Sequence, residues 1–156
     1  NTYGPRQSAR AVIPTIITQI LNGSKSIKLG STTPTRDFNY ILDTVNAFIS
    51  VLKSSKGVGD IFNFGSNYEI SILDTVKLIS QIMNCNIDVV SEKIRKRPID
   101  SEVERLKADY NKAHLTFNWS PKYSGLSGFK SGLQETINWF SNKENLKNYK
   151  PNDYNV

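Results

Sequence analysis

The chain has a single cysteine, a single methionine and a single histidine among 156 residues. With Cys85 alone, no intrachain disulfide can form and paired-cysteine metal sites are excluded. With His114 alone, a histidine-rich metal site is excluded as well, and any Ser-His or Cys-His couple would have to use it. It sits in Lys112-Ala113-His114-Leu115, a short amphipathic segment where a partly exposed structural role is the expectation. No apolar run approaches the roughly 20 residues that span a bilayer, because Lys, Asn, Ser or Thr interrupts each one. Nor does a basic segment followed by an apolar one suggest a secretory signal. A reducing, cytoplasmic setting without a membrane partner is therefore expected. Since Met83 is the sole methionine and the chain opens Asn1-Thr2-Tyr3-Gly4-Pro5, residue 1 is not expected to be a natural translation start.

What is present points to one compact domain: 38% of residues are apolar, and 20 Lys+Arg against 14 Asp+Glu give a net charge of +6. The isoelectric point of 9.4 raises the possibility of a small nucleic-acid-binding module, with the basic run at 93–97 as its contact. Aromatic residues are sparse near that run and acidic ones follow it, so no nucleic-acid partner is expected.

Apolar residues Val12, Ile13, Ile16, Ile17, Ile20 and Leu21 predict a helix over 11–22, with Pro14 in its first turn and Gly23 at its end. Ile27 and Leu29 flank Lys28 in a short strand, and Arg36 to Ile41 alternates like a half-buried one. Asp43 or Thr44 is the expected cap of a helix carrying Val45, Phe48, Ile49 and Leu52. Ile61–Phe64 is expected as a strand closed by Gly65. Ser71 and Asp74 form a variant capping box for a helix burying Ile72, Val76, Ile79 and Met83. Another strand is expected over 87–90, then a charged aperiodic segment to Asp109, a short helix to Leu115, and a last helix from Ser127 to Phe140. Gly125, Gly128 and Gly132 have the wrong spacing for a dinucleotide-binding turn and more simply let a helix pack closely. The interleaved elements make an α/β pattern, too few and irregular for a complete doubly wound sheet.

Charged residues at a few positions could carry chemistry. Arg36 opens an otherwise apolar strand, and Arg95, Lys96 and Arg97 precede Pro98, Asp100, Glu102, Glu104 and Arg105. Guanidinium pairs with phosphate and carboxylate accepts from vicinal hydroxyls, so together they suit a nucleotide. The same charges also fit a solvated loop whose charges compensate each other.

Several segments resemble a known family: Asn1-x-Tyr3-Gly4-Pro5-Arg6-Gln7, Val12-Ile13-Pro14, Arg36-Asp37-Phe38-x-Tyr40-Ile41-x-Asp43, Phe62-Asn63-Phe64-Gly65, Arg97-Pro98 with Ser101-Glu102-Val103-x-Arg105-Leu106, Trp119-x-Pro121, and Gly132-Leu133 to Trp139-Phe140. In that order they resemble the C-terminal, substrate-binding part of an extended short-chain dehydrogenase/reductase, of the NAD-dependent nucleotide-sugar epimerase/dehydratase family. Ser8-Ala9-Arg10 and the 97–103 segment look most like the nucleotide-N-acetylglucosamine 4,6-dehydratases of bacterial nonulosonic acid pathways. Thymidine-linked glucose dehydratases usually carry Gly-His-Asp where this chain has Ile99-Asp100-Ser101.

The resemblance implies a few short strands with surrounding helices over 1–141, a polar tail over 142–156, and a missing N-terminal Rossmann domain that binds NAD. It implies a nucleotide-diphosphate sugar as ligand, a dehydratase or else a 4-epimerase as the parent enzyme, and a parent homodimer formed through the missing domain. The catalytic Tyr-x-x-x-Lys pair is not found in this chain: Tyr3, Tyr40, Tyr68, Tyr110, Tyr123 and Tyr149 are followed four positions on by residues other than lysine. No catalytic, cofactor-binding or metal site is therefore expected here, and the chain alone is expected to be inactive. By resemblance, Asn1 and Arg36 hold the diphosphate, Arg97 adds a second phosphate contact, and Glu102 accepts from ribose hydroxyls. Arg105 is a further phosphate or ribose contact, or pairs on the surface with Glu102 or Asp109, and the strand at Leu29 covers the base. The strand at 61–64 joins the sheet of the missing domain, so that without it an exposed edge is expected.

Overall fold

The computed structural model of the protein describes residues 1–96, 98, 101–147 and 149, so Arg97, Ile99 and Asp100 lie outside the described residues. Among the described residues six helices surround seven very short strands, an α/β arrangement in which no sheet exceeds three strands. Strands β1 (Thr2–Tyr3) and β4 (Asn39–Tyr40) pair in parallel, as do β2 (Ser26–Leu29) and β6 (Asp88–Ser91). The third sheet has the order β5-β3-β7, with β3 (Thr35–Asp37) antiparallel to β5 (Glu69–Ser71) and parallel to β7 (Arg105–Leu106).

Helix α1 (Val12–Leu21) forms where the periodicity places it, and Gly23 beyond its end takes a left-handed φ of +80°. The expected capping box opens α3 (Ile72–Ile82): Ser71 Oγ accepts from the Asp74 amide at 3.0 Å and donates to its carboxylate at 2.7 Å. Helix α5 (Gly125–Ser141) packs against α1 and α3 through Phe129, Leu133, Ile137 and Phe140. Gly128 and Gly132 allow the close packing expected, against Tyr123 and Tyr3, whereas a Cβ on Gly125 would meet nothing. A Cβ on Gly132 would lie 2.1 Å from the Tyr3 hydroxyl, so only glycine lets that buried ring approach the helix. Tyr3, Phe38 and Phe129 meet there edge-on or stacked, and this aromatic cluster is the centre of the core.

Helix α2 (Ile41–Leu52) corrects the expected cap. It starts at Ile41, before the cap residues expected from the sequence, and Tyr40 precedes it without a side-chain cap. Asp43 is instead 1% exposed and accepts from the Lys122 and Tyr123 amides, both at 2.9 Å, so its carboxylate ties α2 to the loop before α5. Its apolar stripe also faces outward: Val45, Phe48, Ile49 and Leu52 are all exposed. Periodicity reported an amphipathic helix but not what covers it.

The expected strand at Ile61–Phe64 pairs with no strand among the described residues. Phe62 and Phe64 pack instead on Phe117 of α4 (Asn111–Phe117). At the C-terminal end, the expected polar tail contains helix α6 (Lys143–Leu146), whose Glu144 amide is capped by the Asn142 side chain at 2.9 Å. Tyr149 packs edge-on to Trp139 and Phe140, and its hydroxyl donates to the Gln7 carbonyl at 3.0 Å. No helix is long and apolar enough to cross a membrane among the described residues.

Candidate substrate-binding site

Strand β3 positions the site because alternate residues point to opposite faces. Arg36 points into a cavity of about 360 Å³, whereas Asp37 points away into protein. Arg36 is 9% exposed; its Nη2 donates to Glu102 Oε1 at 2.9 Å and its Nη1 to the Thr35 carbonyl at 2.8 Å. This joins residues 66 positions apart, and both line the cavity. The pair is a cation and an acceptor held close together but still reachable, which suits an incoming ligand that carries both anionic oxygens and hydroxyls.

Asp37 fixes the strand from behind. Its Oδ1 accepts from the Ser66 amide at 2.9 Å and the Ser66 hydroxyl at 2.6 Å, and its Oδ2 from the amides of Asn67 at 3.0 Å and Ala108 at 3.1 Å. Three chain segments are thereby joined on one buried carboxylate, and β7 is held beside β3.

Asn1 and Leu29 also line the cavity, so Asn1, Leu29, Arg36 and Glu102 of the sequence-derived set are brought together. Arg105 is placed elsewhere. Its side chain is 69% exposed and pairs with Glu69, not with Glu102 or Asp109; its Nε lies 2.7 Å from Glu69 Oε2. Arg105 and then Thr35, which donates to the same carboxylate, hold the Glu69 carboxyl at about 2, below its ordinary 4.5. Arg97 falls outside the described residues.

Gln7, Arg10 and Arg95 line the same cavity; of these the sequence singled out Arg95, as part of the cationic run, and gave Gln7 and Arg10 no role of their own. Gln7 Oε1 is buried without a hydrogen-bond partner among the described residues, while its amide nitrogen donates to the Thr2 carbonyl at 2.8 Å. Such an acceptor takes its donor from water or from a ligand in the cavity. Arg95 closes the 3₁₀ turn Lys93–Arg95, and its Nε donates to Glu92 Oε2 at 2.7 Å. Arg95 of the basic run thus lines the cavity, while Lys93 and Lys96 are exposed. Gln7 and Arg10 carried a signal only as members of the Asn1–Gln7 and Ser8-Ala9-Arg10 resemblances.

A family profile described as GDP-mannose 4,6 dehydratase matches residues 1–136. The chain belongs to this family. Human dTDP-D-glucose 4,6-dehydratase is 35% identical over 155 residues, covering 96% of this chain and 41% of that protein. A UDP-N-acetyl-alpha-D-glucosaminuronate decarboxylase from Bacillus cytotoxicus is 32% identical, covering 93% of this chain and 45% of its own length. Among solved structures, dTDP-glucose 4,6-dehydratase from Bacillus anthracis in complex with NAD superposes with a TM-score of 0.80 at 30% identity, covering 96% of this chain and 45% of that one. UDP-glucose 4-epimerase from Thermotoga maritima with UDP-glucose gives 0.75 at 26% identity, over 90% of this chain and 43% of that one. The family member described here spans less than half the length of these relatives, and its architecture is that of the C-terminal part of extended short-chain dehydrogenases.

Proposed function

We propose that this chain is the nucleotide-binding face of an NAD-dependent nucleotide-sugar 4,6-dehydratase, acting in the cytoplasm on an N-acetylhexosamine-type substrate. The observation that carries this reading is the Arg36–Glu102 pair lining a cavity of about 360 Å³. Arg36 and Asn1 would engage the diphosphate, Glu102 the ribose hydroxyls, and the end of β2 at Leu29 the base. Gln7 Oε1 would accept from a hydroxyl or amide of the ligand. Remote binding of this kind lowers a barrier by fixing the sugar against the reacting groups.

The residues described here do not fit NAD. Gly57 and Gly59 open no helix, and Gly125, Gly128 and Gly132 lie on helix α5, where the last two are packed against Tyr123 and Tyr3. In this reading NAD and the catalytic groups belong to a complementary cofactor-binding part, where a parent homodimer also forms, and the isolated chain turns over no nucleotide sugar. A 4-epimerase is the second reading, favoured by the likeness to the Thermotoga UDP-glucose 4-epimerase.

Calorimetry of the chain against UDP, GDP and TDP tests the proposal. Arg36→Ala removes a charge-assisted contact of about 1.5–3 kcal/mol, so affinity for the preferred diphosphate falls about 10- to 150-fold. Arg36→Lys retains part of it. Wild-type chain that binds none of the three, or an Arg36→Ala variant of native thermal stability and unchanged affinity, rejects the reading.

A further inference from the structure

We propose that Tyr149 is a positioning residue: its hydroxyl holds Gln7 in the wall of the ligand cavity, so that the C-terminal segment sets the affinity for a nucleotide sugar. The assignment rests on the nucleotide reading above. Gln7 lines the cavity, and three of its four polar atoms have partners. Its amide donates to the Gly4 carbonyl at 3.3 Å, its Nε2 donates to the Thr2 carbonyl at 2.8 Å, and its carbonyl accepts from the Tyr149 hydroxyl at 3.0 Å. Because a carbonyl can only accept, the Thr2 oxygen takes the amino end of the Gln7 side chain and leaves Oε1 as the end that turns elsewhere. That oxygen is buried and has no partner among the described residues. A residue fixed at three points thus keeps one acceptor in reserve.

The turn that carries Gln7 needs such a hold. Arg6, just before it, has a φ of +66°, a region that residues with a Cβ disfavour, and Gln7 itself belongs to no helix or strand. Two hydroxyls from elsewhere in the fold steady this wall. Thr15 of α1 donates to the Ala9 carbonyl at 2.9 Å, and Tyr149 donates to that of Gln7 from 142 positions away. The Tyr149 ring is held edge-on by Phe140 and Trp139, with centroids 4.9 and 6.2 Å away, and its amide donates to the Leu146 carbonyl at 2.9 Å. The hydroxyl is therefore anchored on both α5 and α6. Burial holds it above the ordinary tyrosine range against the charge of Arg6, which keeps it a donor at neutral pH. Since Phe140 is fully buried, the position of Gln7 is referred to the core of the fold.

Removing the hydroxyl alone tests this. UDP-, GDP- and TDP-N-acetylglucosamine are titrated into the whole chain by calorimetry, and the tightest of the three serves for the variants. Tyr149→Phe keeps the packed ring and is expected to weaken binding about two- to tenfold, the scale of one hydrogen bond, with little change in melting point. Gln7→Met weakens it at least as much, and adding Tyr149→Phe to Gln7→Met costs nothing further, because the hydroxyl acts through Gln7. Gln7→Ala takes its place should the methionine variant fail to fold. A tyrosine that only held the fold together would lower the melting point and weaken binding alike with and without Gln7. Unchanged affinity in Tyr149→Phe, or an equal loss in the wild-type and Gln7-substituted chains, overturns this assignment alone. A wild-type chain that binds none of the three probes overturns it together with the nucleotide reading.

Discussion

Glu69 shows how much a single side chain owes to neighbours far away in sequence. Arg105, 36 positions on, and Thr35, 34 positions back, both donate to its carboxylate and hold it at about 2, against an ordinary 4.5. As pH falls, the unfolded chain therefore takes up this proton first. Stability from the pair is complete above about pH 4.5 and is lost as pH approaches 2. Glu69→Gln is expected to flatten the pH dependence of the denaturation midpoint across that window. Lys112, Lys77 and Arg95 lower Asp60, Asp74 and Glu92 in the same direction, so the slope decreases without vanishing. An identical slope in the wild type and Glu69→Gln would show that the pair does not persist in solution. Neither partner advertised the other in sequence, because what brings them together is the register Thr35↔Ser71 and Thr35↔Arg105 across three strands.

Among the elements, helices were legible and strands only in part: the expected strands at 27–29 and 87–90 are β2 and β6, and the segment 36–41 divides into β3, β4 and the start of α2. Helices α1, α3 and α5 are long enough for a 3.6-residue period to repeat, and the Ser71–Asp74 box and Gly23 marked ends correctly. Strands β5 and β7 have three and two residues, too few for alternation to register, and Ile61–Phe64 alternates without finding a ladder. The candidate site followed the same division. Arg36 and Glu102 were found through resemblance, whereas Arg95 and Gln7 needed the fold to place them in the cavity. One glycine tests the packing argument. Gly132→Ala gains helix propensity but forces a methyl against the Tyr3 ring and, at 3.0 Å, against Tyr40 Cδ2. Overpacking outweighs propensity, and we expect a net loss of about 1–2 kcal/mol, read as a melting point lower by about 3–6 °C. An unchanged or raised melting point would mean that the Tyr3 ring moves aside freely.

For the whole molecule, the exposed stripe of α2 is the main departure from a self-sufficient domain. Phe48 is 69% and Leu52 83% exposed, and Val58 and Ile61 add apolar surface after them. Phe62, Asn63 and Phe64 also make no backbone hydrogen bonds to other described residues. Exposed apolar surface beside an unpaired extended segment favours association. Light scattering at high concentration is expected to give a mass above the 17.6 kDa of one chain, and Phe48→Lys with Leu52→Glu should reduce it. A strictly monomeric wild-type chain would contradict this.

The buried carboxylate of Asp37 has a thermodynamic consequence for the cavity beside it. Because its four donors come from segments 29 to 71 positions away, loosening the segment at Ala108 that follows β7 would strand a buried anion behind Arg36. The wall and the core thus melt as one unit. Occupancy of the cavity is then conserved as global stability by mass action: a ligand at a hundred times its dissociation constant raises the unfolding free energy of the entire chain by about 2.7 kcal/mol, not merely that of the loops it touches.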